Sequence, residues 1–270
     1  MLKNKLSRCE MIYNVNLFSV TGLFLLIILS SCKTIEAQNK YQIPKITENG
    51  FTKIFNGKNL NGWKGDSTHW RVENGNLVGT ISPSTIVKRN TFIIWQGDVP
   101  SDFELKVEYK VTKNGNSGIN YRSQLVNGVP YALKGYQGDI DGKNRYTGSN
   151  YEERRRTTLA SQGQKVVLPN VKNADSLQAY IKNNFWTASI VKGSLGSRTS
   201  LKAHINKGWN EYRIVVIGNH MKHYVNGVLM SDVTDKDTVN RKFDGLIGVQ
   251  VHVGPPMKIE YRNFRLKKLP

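Results

Sequence analysis

The stretch from Gly115 to Arg156 reads GNSGINYRSQLVNGVPYALKGYQGDIDGKNRYTGSNYEERRR. It contains two short strand patterns, and side chains along a strand point alternately to the two faces of its sheet. In the second pattern this alternation places Gln137, Asp139 and Asp141 on one face. A sheet that is buried on both faces does not carry carboxylates in this way. The stretch therefore predicts a sheet with one polar face that meets a polar ligand.

The same alternation occurs in the first pattern, at residues 116–122, and again at residues 244–253. If these strands are neighbours in one sheet, their polar side chains converge on one pocket. Tyr121 belongs to the opposite face and reaches a ligand only if a bulge turns it. The polar or glycine positions of the two strands are Asn116, Asn120 and Arg122 in the first, and Gly248, Gln250 and His252 in the second.

The rest of the chain consists of short strand patterns that are separated by glycine and asparagine turns. Residues 102–111 alternate between apolar and charged side chains, which indicates a strand with one solvated face. Residues 158–172 read as a loop, and residues 175–186 are the only plausible helix, short and weak. This pattern predicts an all-β fold, a single antiparallel β-sandwich over residues 50–270.

Residues 1–32 have the features of an export signal. Basic residues precede an apolar run at Leu17–Leu29, which is too short to span a membrane comfortably. The run ends in Leu-Ser-Ser-Cys, a lipobox pattern that predicts lipidation of Cys32. We expect residues 33–49 to be a tether and the protein to be lipid-anchored in the outer membrane or periplasm of a bacterial envelope. Ordinary signal cleavage near Ala37 is the alternative.

The chain carries a formal net charge of +19, which raises the question of a nucleic-acid partner. However, the sequence shows no basic helix and no basic-aromatic motif, and only residues 154–156 form a dense basic cluster. Scattered surface lysines that keep a secreted protein soluble explain the charge, so we expect no nucleic acid as partner.

Four segments resemble one family in the order of their motifs. They are residues 54–63 (IFNGKNLNGW), 116–122 with 135–137 (NSGINYR, GYQ), 246–252 (LIGVQVH) and 259–266 (IEYRNFRL). The chain is similar over about residues 50–268 to the 3-keto-disaccharide hydrolase domain family. That resemblance implies a concanavalin A-like jelly roll, an oligosaccharide or glycoside substrate, and cleavage of sugars whose 3-hydroxyl is oxidised to a ketone.

A ketone at C3 of a sugar acidifies the proton on C2, so a base can remove it and the C1 substituent can then be eliminated. This chemistry needs a base near C2, a donor or cation at the enolate oxygen and an acid at the leaving oxygen. We assign Asp139 or Asp141 as the base, Arg122 to the enolate oxygen and His252 to the leaving oxygen. Candidates for substrate binding are Asn120, Tyr121, Gln137, Gln250, Glu152, Glu153 and Arg154.

Each assignment has a structural alternative. Arg122 pairs with Asp139 on a sheet face, or Asp139 and Asp141 together bind a hard cation such as calcium. Independently of these, His252 is an ordinary strand histidine, or the two glutamates at 152–153 neutralise the arginines that follow. At the level of function, the alternatives are a non-catalytic carbohydrate-binding sandwich and a conventional two-carboxylate glycosidase. The convergence of charged groups on one face favours an enzyme.

Overall fold

The computed structural model describes residues 48–172 and 176–270. The predicted export signal, the lipidation of Cys32 and nearly all of the tether lie outside these residues. Within the described residues, no helix is both long and apolar enough to cross a membrane.

The described residues form strands almost throughout, with one short α-helix and two 3-10 turns. The helix α1 is Arg198–Lys202, and the turns are Glu48–Gly50 and Leu177–Tyr180. The strands are β1 Thr52–Lys53, β2 Trp63–Lys64, β3 Trp70–Glu73, β4 Asn76–Ile81, β5 Thr91–Trp95, β6 Phe103–Val111, β7 Asn116–Leu125, β8 Leu133–Asp141, β9 Asn150–Glu153, β10 Thr157–Ala160, β11 Gln164–Leu168, β12 Ile181–Lys182, β13 Phe185–Trp186, β14 Ile190–Ser194, β15 Asn210–Ile217, β16 His220–Val225, β17 Val228–Asp235, β18 Leu246–Val251 and β19 Met257–Lys268.

These strands build two sheets. Sheet A runs β14-β11-β17-β16-β15-β6-β19-β4-β3, with β1 paired to β19, and sheet B runs β12-β13-β10-β9-β8-β7-β18-β5-β2. Pairing is antiparallel apart from β10 with β13 and β11 with β17, which are parallel. The prediction of an all-β, antiparallel sandwich is confirmed.

The core lies between the sheets and follows from strand alternation. In β6 the side chains of Phe103, Leu105, Val107 and Tyr109 are buried, and the intervening charged residues are only partly covered. The polar strands of sheet B obey the same rule, because Ile119, Tyr121, Tyr136, Ile140, Val249 and Val251 all point into the core. Burial of this apolar area is the dominant contribution to stability.

Two local predictions are wrong. The stretch expected to be a helix contains a 3-10 turn at Leu177–Tyr180 and then the hairpin β12–β13. Asn183 and Asn184 both have positive φ, 51° and 63°, which is the conformation that a two-residue hairpin turn requires. The stretch expected to be a loop at residues 158–172 supplies most of β10 and all of β11, which find partners across both sheets.

The first and last strands of the described chain lie side by side. Thr52 pairs with Leu266 and Lys53 with Arg265, so β1 is held by β19. In sheet B, β18 is inserted between β5 and β7, both of which come from much earlier in the chain. Each sheet is therefore completed by strands from the C-terminal part of the sequence.

Candidate active site

Three polar strands are neighbours in sheet B, in the order β8-β7-β18, as the alternation predicts. Their apolar residues face sheet A, so their polar residues lie on the outer face of sheet B. We call four of these outer residues, Gln137, Asp139, Glu153 and Gln250, the outer-face cluster. Glu153 comes from β9, which lies beside β8.

A chain of hydrogen bonds connects the members of the outer-face cluster. Nε2 of Gln137 donates to Oδ1 of Asp139 at 2.8 Å. Nε2 of Gln250 lies 3.2 Å from Oε1 of Gln137 and 3.3 Å from Oε2 of Glu153. Two amides thus link two carboxylates across the four adjacent strands β9-β8-β7-β18. Oε1 of Gln250 is buried and has no hydrogen-bond partner in the described part of the chain.

The backbone beneath the cluster is open because Gly118 has no side chain. Gly118 pairs with Asp139 across β7 and β8. A Cβ atom at this position would clash with Cδ of Gln137. The glycine therefore lets the Gln137 side chain lie flat over β7 and reach Gln250.

Both carboxylates of the cluster hold their protons more tightly than usual. Burial raises the pKa of Asp139 to about 8, the Gln137 hydrogen bond opposes this shift, and the negative charges of Glu153 and Asp141 add to it. Burial also raises the pKa of Glu153, against the hydrogen bond from Asn90 and the nearby charge of Arg154. A carboxyl group whose pKa lies near neutrality, as that of Asp139 does, is suited to proton transfer.

His252 lies beside the cluster at the end of β18. Its Nδ1 is 2.6 Å from the carbonyl oxygen of Val253, and because a carbonyl only accepts, Nδ1 carries the proton. Nε2 then carries no proton in the neutral imidazole. Asn90 fixes this region, since its Oδ1 accepts from the backbone N–H of Val253 at 2.9 Å and its Nδ2 donates to Glu153 at 3.1 Å.

The structure does not place Arg122 in the cluster, which corrects the prediction from alternation. The register of β7 shifts between Tyr121 and Gln124, and Arg122 has a positive φ of 43°. The bulge turns the guanidinium away from Asp139. The guanidinium donates to the carbonyl oxygens of Ser101, Gly218 and Lys242 and to the Asp102 carboxylate. Its visible role is to join loops from both sheets.

Asp141 is near Asp139 but serves its own loop. Its Oδ1 accepts from the backbone N–H groups of Tyr146 at 2.7 Å and Thr147 at 3.2 Å. Its Oδ2 lies 3.7 Å from Nε of Arg145. Asp141 and Asp139 are thus engaged by different donors, which argues against a shared calcium ion. Within the described residues, no group of three or more His, Cys, Asp or Glu side chains could hold a metal ion.

Tyr121 and Asn120 are adjacent in β7, so their side chains point to opposite faces of sheet B. Tyr121 stays in the core, where its hydroxyl lies 2.9 Å from Nε2 of His223 and its ring stacks on Tyr136 at 5.6 Å. The bulge falls after Tyr121 and therefore does not bring it to the outer face. Asn120 pairs with Gln137 and is fully buried, with Nδ2 at 3.5 Å from Oγ of Ser123.

The two adjacent glutamates have opposite environments. Glu153 belongs to the outer-face cluster, with Nε of Arg154 at 3.8 Å from its Oε1. Glu152 points inward and pairs with the fully buried guanidinium of Arg156, whose Nε lies 2.6 Å from Oε2. Arg156 also pairs with Asp235 at 2.6 Å. Glu152 thus belongs to a buried ion-pair network, and only Glu153 and Arg154 lie at the candidate site.

Sequence reasoning missed Tyr151, which lies opposite Gln137 on β9. Its hydroxyl donates to Oδ1 of Asn184 at 3.2 Å. Burial and the negative charges of Glu153 and Asp139 raise its pKa, so the phenol lies within electrostatic reach of both carboxylates. Alternation in Asn150–Glu153 carried the signal, but the arginines that follow make this segment look like a charged loop.

Comparison with known proteins gives related results at three levels. A curated relative from Bacteroides thetaiotaomicron, named 3-keto-disaccharide hydrolase, is 32% identical over 110 residues, which cover 36% of this chain. The aligned part spans 36% of the length of that relative. Two solved structures from Parabacteroides distasonis, each named as a candidate glycosyl hydrolase, share the fold. One has a TM-score of 0.52 at 18% identity and covers 85% of this chain and 100% of its own.

The other solved structure has a TM-score of 0.50 at 16% identity and covers 82% of this chain and 100% of its own. At such identities the likeness shows a common fold alone. The family model is more specific. The model of the 3-keto-alpha-glucoside-1,2-lyase-like domain matches residues 50–267, which include every strand of the sandwich except the end of β19. The chain therefore belongs to the 3-keto-alpha-glucoside-1,2-lyase-like domain family.

Proposed function

We propose that this protein is a carbohydrate-active enzyme that cleaves the glycosidic bond of 3-keto-glycosides by C2 proton abstraction and elimination. The observation that carries the proposal is the Asp139 carboxyl group, whose pKa is raised to about 8 on the outer face of a sandwich sheet. Family membership supports the substrate class, because the family description names 3-keto-glucosides. Cleavage of a sugar without the ketone does not involve removal of the C2 proton, so it would not require a base of raised pKa at this position.

In the first step, Asp139 takes the C2 proton. The C2–H bond breaks, and its electron pair moves toward C3 to give an enolate on the C3 oxygen. Gln137 holds Oδ1 of Asp139, so Oδ2 is the oxygen available to the proton. A base of high pKa is favoured here because the proton comes from carbon, and base strength lowers the barrier to its removal.

The enolate needs a positive partner. Arg122 does not provide it, because the bulge directs its guanidinium to Ser101 and Gly218. Nε of Arg154 lies 3.8 Å from Oε1 of Glu153, which supports this guanidinium as that partner. We assign Arg154 to the C3 oxygen. A cation positioned where charge develops stabilises the transition state more than the ground state.

In the second step, the C1–O bond breaks and a C1–C2 double bond forms as the C3 ketone is restored. His252 enters this step with both ring nitrogens protonated and donates its Nε2 proton to the departing oxygen, which leaves the Nδ1–H imidazole with Glu153 nearby. Water then adds to the unsaturated ketone, its hydroxyl to C1 and a proton to C2. The net result is hydrolysis, and release before the addition of water makes the same site a lyase.

The test is cleavage of 3-keto-glucosides and of their unoxidised parents in deuterium oxide, with and without chelator. We expect cleavage of the keto sugars alone, with solvent deuterium at C2 of the product above that in free product incubated without protein. Cleavage to a saturated keto sugar without such deuterium would contradict elimination, whereas an unsaturated product, which has no hydrogen on C2, would indicate the lyase outcome. Cleavage of the unoxidised parents would indicate a conventional glycosidase, and binding without any cleavage would indicate a carbohydrate-binding module.

A further inference from the structure

A row of side chains runs from the outer-face cluster to an exposed aromatic ring. Gln137 pairs with Tyr151, Tyr151 pairs with Thr158, and Thr158 pairs with Phe185. Residues that pair directly across strands point to the same face of a sheet. We call Gln137, Tyr151, Thr158 and Phe185 the cross-strand row.

The direction of Phe185 follows from its neighbour on β13. Trp186 is buried in the core, with its ring centroid 5.2 Å from that of Tyr180. Because adjacent residues of a strand point to opposite faces, Phe185 points outward with sheet B, and it is 46% exposed. A single exposed apolar side chain is ordinary in proteins. Phe185 differs from such isolated side chains because it ends a row of residues that begins at the carboxylates.

The hairpin that carries Phe185 is fixed to the site. The turn residue Asn184 accepts from the Tyr151 hydroxyl at 3.2 Å through its side chain, and from the backbone N–H of Thr158 at 3.1 Å through its carbonyl. Thr187 ties the end of the hairpin to Tyr180 through two hydrogen bonds. The ring is thus presented by a preorganised element, and little freedom is lost when a ligand binds.

The spacing along the row matches a ligand longer than one sugar. Neighbouring strands lie about 4.8 Å apart, so three strand intervals place Phe185 roughly 14 Å from Gln137. One ring at the carboxylates leaves room for another toward Phe185. The C–H face of a pyranose is apolar with a slight positive charge, and the face of an aromatic ring is negative. A sugar ring therefore stacks on such a side chain.

We propose that Phe185 is a specificity residue that stacks against the leaving-group sugar of a 3-keto-disaccharide, with Tyr151 lining the path from the carboxylates. This inference rests on the proposed function. The ketone-bearing ring occupies the outer-face cluster, and the sugar that departs lies over β10 and β13. The ligand class at Phe185 is an uncharged hexose or a short chain of hexoses.

The first test compares Phe185→Ala on two substrates, a 3-keto-disaccharide and a 3-keto methyl glycoside. We expect KM for the disaccharide to rise about 3- to 10-fold with kcat nearly unchanged, and no change for the methyl glycoside. Ile217→Ala is the matched control, because Ile217 is similarly exposed but lies in β15 of sheet A. Equal effects on both substrates, or none on either, would overturn the proposal.

The second test needs no turnover. Saturation-transfer NMR with an unoxidised gluco-disaccharide reports contact with the parent protein, and we expect the signal to fall in Phe185→Ala and to survive in Phe185→Trp. Contact that depends on residue 185, without turnover of any keto sugar, would contradict the proposed function but leave the sugar-stacking role of Phe185 standing. Turnover that does not depend on residue 185 would contradict only the sugar-stacking role of Phe185. Phe185→Leu replaces the alanine variant if the latter does not fold.

Discussion

Nε2 of Gln137 donates a hydrogen bond of 2.8 Å to Oδ1 of Asp139. A flip that exchanges the nitrogen and oxygen of this amide is disfavoured, because its Oε1 accepts a hydrogen bond from Nε2 of Gln250. The amide therefore presents its N–H to the carboxylate and favours the charged form of Asp139, against the burial that favours the neutral form. The balance between these two effects sets the pH range in which Asp139 loses its proton.

Asp139→Asn should separate activity from stability. The folded pKa of about 8 lies above the ordinary value of 3.8, so the proton stabilises the fold at low pH. That stabilisation is lost as pH rises from about 4 through about 8. Asparagine cannot ionise, so we expect the variant to melt above the parent at pH 8 while turnover falls by two to four orders of magnitude. Asp98→Asn, in an exposed loop, is the control for both measurements. Normal turnover in Asp139→Asn would remove it as the base.

Gln137→Met should move the pH profile in a defined direction. The Gln137 hydrogen bond lowers the pKa of Asp139, so its loss raises that pKa further. We expect kcat/KM of the parent to rise with pH up to about pH 8, and the rise to occur at higher pH in the variant. Gln124→Met, at the exposed end of β7, should leave the profile in place. A profile that does not move in Gln137→Met would contradict the assigned base.

Arg122→Met should destabilise the fold without changing the chemistry. The substitution removes a guanidinium that is itself 1% exposed, and with it the donor to the carbonyls of Ser101 and Gly218. We expect a loss of about 3 kcal/mol or more in the free energy of unfolding. In denaturant titrations, Arg71→Met is the control, since its ion pair with Glu73 is solvent-exposed. A large fall in kcat/KM of the folded variant would restore Arg122 to the active site.

Glu152→Gln and Glu153→Gln should behave oppositely although the residues are adjacent. Glu152 is the partner of the buried Arg156, and breaking a buried pair costs about 3–5 kcal/mol. We expect Glu152→Gln to lower the melting temperature strongly, and Glu153→Gln to keep it and lose turnover. Each variant serves as the control for the other in the same assays. The reverse pattern would show that the outer face of sheet B is not the catalytic face.

Cys32→Ala tests the predicted anchor, which lies outside the described residues. We expect the parent to incorporate labelled fatty acid and to fractionate with membranes, and the variant to do neither. Inhibition of lipoprotein signal peptidase should block maturation of the parent, as the substitution does. A variant that is processed and fractionates like the parent would favour ordinary signal cleavage near Ala37.

Strand alternation is sufficient to find the outer face of sheet B, because turn residues and period-two patterns are local properties of a sequence. Alternation alone brings Gln137, Asp139, Gln250 and His252 together on this face. It fails at Arg122 because one bulge changes the face of every later residue in a strand, and a bulge leaves little trace in composition.

The other failures have different causes. The face predicted for Asp141 is right, but its carboxylate is engaged by backbone N–H groups of the loop that follows, which no face pattern reveals. Tyr151 was missed, and Glu152 was not distinguished from Glu153, because β9 has only four residues and runs directly into three arginines. The fold could thus be predicted from the sequence more completely than the site, because a site depends on the partners of individual side chains.

The pairing of β1 with β19, and the insertion of β18 beside β7, have a consequence for the order of folding. Contacts between distant parts of a chain require long loops to close before any stabilisation is gained, which slows folding. The strands that carry Gln137 and Asp139 cannot form a complete face until β18 has emerged and joined them. The candidate face is therefore incomplete until β18 has joined β7, and a nascent chain that is halted before β18 lacks Gln250 and His252.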